Sequence, residues 1–158
     1  MKWKKPLTRK GYHRLAEEHR HLLEEVRPKV VEGIATAAAE GDRSENAEYI
    51  YGKKRLREID KKLRQLTSLF GDADVIDIEY LRSDRVDFGA RVSLLDEDGC
   101  EKQWLIVGVG EADIAEGTIS YKSPVARALM GKKVGDVVEI ERPKGISEFE
   151  ILAVTYGD

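Results

Sequence analysis

The sequence predicts an α+β chain in which an antiparallel coiled-coil hairpin of two long helices is followed by a small antiparallel β-sheet with one helix. Three observations predict it. Leu15, His19, Leu22, Val26, Val30, Ile34 and Ala37 recur every three or four residues, and Tyr49, Gly52, Leu56, Ile59, Leu63, Leu66 and Phe70 step 3-4-3-4-3-4, so two helices carry facing apolar seams. Between them residues 41–48 read Gly-Asp-Arg-Ser-Glu-Asn-Ala-Glu, a polar turn. After Phe70 the helical period stops and short β-prone runs begin. The predicted domains are residues 1–76 for the hairpin, with an acidic tip at 41–48, and residues 77–158 for the sheet.

Thr8 follows Pro6-Leu7 and precedes the first periodic residues, so its hydroxyl is placed to cap the first helix by accepting from a first-turn amide. Pro28 lies inside the pattern, where it removes one backbone hydrogen bond and crowds the carbonyl of Glu24. The apolar steps around it become 22, 26, 30, 34, a phase shift relative to a strict heptad, so the helix is expected to bend there and continue. Ala35, Ala37, Ala38 and Ala39 make the end of the hairpin slim. Helices of roughly 25 to 33 residues are about 40 to 50 Å long, which sets the acids at the end of a long stalk. Beyond Gly71-Asp-Ala-Asp74 the expected strands are 75–78, 90–95, 103–109, 117–121, 137–141 and 148–155. One helix interrupts them, with Ser123 as cap, Pro124 at its first position and Gly131 just past its end.

Composition limits the function. Of 158 residues 36% are charged and 41% hydrophobic, and up to residue 76 there are 17 Lys and Arg against 13 Asp and Glu, a net +4. The remainder has 10 against 17, a net −7, which together give the overall −3. A balance this slight is too small for a bulk duplex-DNA binder, though it suits phosphate or an acidic channel. Cys100 is the single cysteine, which excludes an intrachain disulfide and a thiolate zinc cluster and fits a reducing cytoplasm. No run approaches the ~18 apolar residues of a membrane span, and the basic start Met1-Lys-Trp-Lys-Lys-Pro-Leu lacks a signal-peptide core. His13, His19 and His21 share no tight face, and Gly108-Val-Gly110 lacks the third glycine of a dinucleotide loop. Trp3, Trp104 and Tyr121 read as core or partly exposed residues.

Asp42 and Glu45, three apart, have the spacing of a helix-capping pair, but Ser44 and Asn46 are equally able to cap. As ionised carboxylates at pH 7 the two acids are hard oxygen ligands suited to Mg²⁺, yet two ligands alone hold such an ion weakly. The chemistry they fit is completion of another protein's site that already holds one Mg²⁺. Lys53, Lys54, Arg55 and Arg57 form a basic group, with Lys53 and Arg57 on one face at i, i+4.

These segments resemble the Gre family of bacterial transcript cleavage factors, GreB type. Gly41-Asp-Arg-Ser-Glu-Asn-Ala-Glu-Tyr49 is similar to the family's acidic tip, Lys53-Lys-Arg-Leu-Arg-Glu-Ile-Asp60 continues as GreB-type sequences do, and Ser123-Pro-Val-Ala-Arg-Ala-Leu-Met-Gly-Lys-Lys-Val-Gly-Asp136 resembles the signature of the globular domain. The resemblance implies an FKBP-like second domain docked on RNA polymerase, with Ser123, Pro124 and Arg127 at the contact. It implies a hairpin inserted into the polymerase secondary channel, where Asp42 and Glu45, supported by Ser44, hold a second Mg²⁺ and its water. It implies that the polymerase then cuts the extruded 3′ segment of backtracked nascent RNA, that Lys53, Lys54 and Arg57 contact that RNA, and that Arg43 meets RNA phosphate or an acidic channel wall. On this reading the chain is a cytoplasmic accessory factor, holds no metal when free, and needs no membrane. A two-stranded seam can close within one chain or be shared between two; a monomer is the expectation. A channel regulator that inhibits is the rival, and prolyl isomerase activity is suggested by fold alone, which does not carry activity.

Overall fold

In the computed structural model, which describes residues 2–40 and 46–157, the chain divides into two compact units. His13–Asp72 form the hairpin unit, and the residues up to Tyr12 together with those from Ala73 onward form the sheet unit. The sequence boundary at 76 assigned the first twelve residues to the hairpin. They join the sheet unit because β1 (Pro6–Thr8), a strand without any local signal, pairs in parallel with β2 (Asp74–Ile76).

The hairpin is built from α1 (Arg9–His21), a π-helical turn (Leu22–Val26), α2 (Arg27–Glu40) and α3 (Ala47–Phe70). Thr8 caps α1 as the sequence predicts, its hydroxyl accepting from the Gly11 amide at 3.0 Å. The helix continues through Pro28 as expected, and a π turn stands just before it. Pro28 has no amide to give Glu24, and the chain instead lets the Arg27 amide reach back five residues to the Leu22 carbonyl. One extra residue is absorbed without ending the helix, and Leu22, Val26, Val30 and Ile34 all stay half-buried through the phase change.

Burial follows the two seams. Leu15, Ala37, Ile59 and Leu66 are buried, and the other seam residues are half-buried. Each large apolar side chain removed from water contributes about 1.5–3 kcal/mol, which holds the helices together. His19 sits edge-on to Phe70 with ring centroids 5.6 Å apart, a packed histidine of the seam. Near the hairpin's end Gly52 lets the helices close, since a Cβ there would lie 2.7 Å from Cγ1 of Ile34.

The sheet unit has a five-stranded sheet in the order β5-β4-β3-β7-β6, formed by β3 (Arg91–Leu95), β4 (Glu101–Val107), β5 (Thr118–Ser120), β6 (Val137–Arg142) and β7 (Gly145–Thr155). The α+β class holds, with one departure from the expected antiparallel pattern: β4 and β5 run parallel, Leu105 opposite Thr118. The segment between them, with a 3₁₀ turn at Ile114–Glu116, is long enough to carry the chain back before it pairs. Phe88, Val92, Leu94, Ile106, Phe149 and Ile151 form the centre of the core. The short helix α4 (Pro124–Leu129) closes it with Ala126 and Leu129. Trp3 and Tyr121 meet Phe88 edge-on at 5.9 and 6.1 Å.

One buried acid belongs to this unit. The Glu111 carboxylate accepts from the amides of Thr8 at 2.8 Å and Gly108 at 2.9 Å and from the Thr8 hydroxyl, so the residue that caps α1 is itself held by the sheet unit. Gly11 is required beneath it, because a Cβ at that position would collide with the carboxylate.

Candidate functional site

The site is assembled around the turn between α2 and α3. Asn46 has the extended backbone of a helix cap, φ −82° and ψ 102°, and its side-chain oxygen accepts from the Tyr49 amide at 3.1 Å. Its side-chain nitrogen donates to the Ala37 carbonyl at 2.7 Å, tying the start of α3 to the last turn of α2. One asparagine therefore performs both local tasks of the turn. Asp42, Arg43, Ser44 and Glu45 lie outside the described residues. The helix α3 begins at Ala47, and Asn46 stands at its cap position.

The basic residues stand on α3. Lys53, Lys54, Arg55 and Arg57 are all exposed, and the face continues beyond the group read from the sequence. Lys54, Arg57, Lys61 and Arg64 step 3-4-3 and are exposed throughout, on the side of the helix away from the seam. Over ten residues that stripe is about 15 Å long. Lys61 and Arg64 lie beyond the charge run at 53–57, and the heptad spacing that marks the seam also marks them. Arg55 falls on a different flank, with Glu58 and Lys62, and Lys62 approaches Glu18 at 3.7 Å. A cross-hairpin ion pair joins Arg27 to Asp60 at 2.8 Å, and the guanidinium holds the Asp60 carboxyl below the usual aspartate range.

Ser123, Pro124 and Arg127 come together at the start of α4. The Ser123 hydroxyl accepts from the Ala126 amide at 3.2 Å, and Pro124 occupies the first helical position, where no amide is needed. Pro124 and Arg127, three apart, are exposed, while Ala126 and Leu129 face the core. Capping thus leaves one exposed corner free for contact. Among the described residues no group of three or more His, Cys, Asp or Glu is arranged to hold a metal, and no helix is long and apolar enough to cross a membrane.

Comparison with known proteins agrees in both halves. Residues 5–75 match the family of transcription elongation factor N-terminal domains, and residues 81–156 match the GreA/GreB transcription elongation factor C-terminal family. The chain is 46% identical to the transcription elongation factor GreA of Sinorhizobium medicae over 98% of both chains. It is also 46% identical to the transcription elongation factor GreB of Pasteurella multocida over 95% of both chains, so identity does not choose between the two types. A solved structure, GreA factor homolog 1 of Thermus thermophilus, matches at 24% identity over 96% of this chain and 99% of that one, with a TM-score of 0.45. On both domains, in order and over nearly its whole length, the chain belongs to the GreA/GreB family of transcription elongation factors.

Proposed function

We propose that this chain is a transcript cleavage factor: the hairpin enters the secondary channel of bacterial RNA polymerase and Asp42 and Glu45 complete the polymerase's hydrolytic site on backtracked RNA. The observation that carries this reading is the cap. Asn46 accepts from the Tyr49 amide and reaches back to the Ala37 carbonyl, so a neutral side chain fills the cap position of α3, which supports reading the two acids as ligands. Their carboxylate oxygens are the donor type a hard divalent cation takes, which is why Mg²⁺ shared with the polymerase is the ion they suit. Such an ion, once bound, makes a nucleophile of its water and stabilises charge on the phosphoryl oxygens. Asp42 and Glu45 supply ligands and orient that water; Ser44 supports them, and Arg43 meets the neighbouring phosphate.

Extruded RNA is held by the basic face. Lys53, Lys54 and Arg57 contact its phosphates, a sequence-independent attraction that weakens as salt rises. The corner made by Ser123, Pro124 and Arg127 docks the sheet unit on the polymerase. On this reading the factor performs no chemistry alone; the cut is the polymerase's.

Asp42→Asn is the test. Asparagine keeps the size and caps as well as aspartate, but lacks the charge that holds a divalent ion. The expected result is an unchanged melting temperature, unchanged polymerase binding, and cleavage in stalled elongation complexes reduced by two orders of magnitude or more, on the order of what a lost electrostatic contact to the transition state costs. Cleavage at the parent rate by both Asp42→Asn and Glu45→Gln would remove the acids from the mechanism. Binding without any cleavage by the parent factor would favour an inhibitory channel regulator.

A further inference from the structure

We infer that Tyr51 is a base-stacking residue, which grips a nucleobase of the extruded single-stranded RNA while the cations one turn further along α3 hold the adjoining phosphates. The inference rests on the function proposed above and names a further residue for it. Two large apolar side chains lie exposed side by side in the first turns of α3, Ile50 at 53% and Tyr51 at 70%. Single apolar residues on a surface are ordinary, but this pair stands between the turn that carries the acids and the start of the basic face.

The helical period fixes the neighbours. Lys54 and Arg55 are three and four residues beyond Tyr51, so on the helix surface they flank it at about 5–6 Å between Cβ atoms. Ile50 stands in the same relation to Lys53 and Lys54, at the head of the stripe that runs on through Arg57, Lys61 and Arg64. An exposed ring with two cations beside it is the combination single-stranded nucleic acids use: the ring offers a face to any base, and the cations take the phosphates. Packing does not account for Tyr51. Tyr49 occupies the half-buried position on the seam, whereas Tyr51 has no hydrogen bond, ring contact or ion pair among the described residues. An aromatic residue is also a poorer helix former than alanine, so local propensity does not favour it there.

Stacking makes a statement about the RNA end as well as about the protein. Purines stack more strongly than pyrimidines, and an abasic nucleotide cannot stack at all. The experiment uses the full-length factor with elongation complexes of bacterial RNA polymerase backtracked by a few nucleotides, in which the extruded RNA carries a purine, a pyrimidine or an abasic nucleotide. The factor concentration for half-maximal cleavage is measured for the parent, Tyr51→Phe, Tyr51→Leu and Tyr51→Ala. The parent and Tyr51→Phe should rank the ends purine, pyrimidine, abasic. Tyr51→Leu and Tyr51→Ala should need about fivefold to a hundredfold more factor on the purine end, the range expected for one lost base-aromatic stack, and should treat the three ends alike. Equal weakening of Tyr51→Ala on all three ends would mean that the ring contacts the polymerase wall, and the inference fails. Parent-like behaviour of Tyr51→Ala, with the parent still active, also overturns it while sparing the proposed function. A parent factor that stimulates no cleavage on any end sinks both. Thermal melting of Tyr51→Ala, expected to match the parent because the ring is exposed, separates these outcomes from misfolding.

Discussion

Replacing Asn46 by alanine removes both ties at the end of the hairpin, and its cost is calculable from their geometry. Loss of an N-cap side chain costs about 0.5–2 kcal/mol, typically about 1. The second bond, from the side-chain nitrogen to the Ala37 carbonyl at 2.7 Å, is part-buried and contributes about 0.5–1.5 kcal/mol. The two add to about 2 kcal/mol if they act independently. For a hairpin unit of this size, 1 kcal/mol moves the melting temperature by roughly 4–8 °C, so the hairpin transition should fall by about 8–16 °C. Asn46→Asp separates the two contributions. It keeps the acceptor for the Tyr49 amide and adds a charge that the helix N-terminus favours, but has no donor for Ala37. Its expected loss is about half that of alanine. The assay is thermal unfolding followed by helical circular dichroism, with hydrogen exchange at the amides of Tyr49 and Ile50, which bond to Asn46. If Asn46→Ala melts within a degree or two of the parent, or if Asn46→Asp is as damaged as Asn46→Ala, the assignment of the cap is wrong.

Three other outcomes follow from named contacts. Glu111→Ala should destabilise the sheet unit by about 2–5 kcal/mol in denaturant titration, because the amides of Thr8 and Gly108 lose their acceptor at a buried site; Glu111→Gln, which keeps one oxygen, should lose less. Gly52→Ala gains helix propensity of about 1 kcal/mol yet forces a methyl to within 2.7 Å of Ile34, so a net loss in hairpin stability is expected, and pairing it with Ile34→Ala should cost less than the two single changes added together. The Arg27–Asp60 pair predicts the pH response of the hairpin. Arg27 lowers the Asp60 pKa in the folded state, so its stabilisation is present above the unfolded aspartate value of about 4 and disappears as pH falls through the lower folded value. Asp60→Asn should remove that part of the acid transition, as read from melting curves between pH 2 and 6, while a transition identical to the parent's would show the pair to be inert.

What the sequence made legible was what repeats. The seam could be read because burial returns every three or four residues, and each seam position from Tyr49 to Phe70 is buried or half-buried in the structure. The cap and first-position proline of α4 were legible for the opposite reason: they are local, decided by neighbours three residues apart. Pairings across long separations left no trace. β1 is three residues long, and its partner lies 68 residues further on, so nothing in Pro6-Leu7-Thr8 announces a strand. Glu111 stands in the sequence beside a glycine-rich turn, with no local mark of burial, and its partner Thr8 is 103 residues away. Direction of pairing was equally hidden, since the composition of β5 is the same whether it runs parallel or antiparallel to β4. At the candidate site the residue types were legible and the division of labour was not. Three side chains of the turn could cap α3 by spacing, and only the geometry shows that Asn46 does so.

That division bears on the proposed function of the hairpin's end. A carboxylate that capped α3 would be held by the amides it satisfied, and each of those bonds would compete with a cation for the same oxygens. The cap position itself is held by a neutral side chain, whose oxygen and nitrogen bond to Tyr49 and Ala37. The same separation runs down α3. The seam uses one side of the helix for apolar burial, and the opposite side keeps the 3-4-3 spacing of Lys54, Arg57, Lys61 and Arg64 without a cation entering the core. Both patterns have one period because they lie on one helix, so the phase of the seam dictates which charges face outward. The π turn before Pro28 preserves that phase on the partner helix, where a strict α-helix would have rotated Val30 and Ile34 off the seam by about 100° for the one extra residue. Positioning of the charged face is thus a consequence of packing on the other face, and changes that slip the seam by one residue would displace the cations before they unfolded the hairpin.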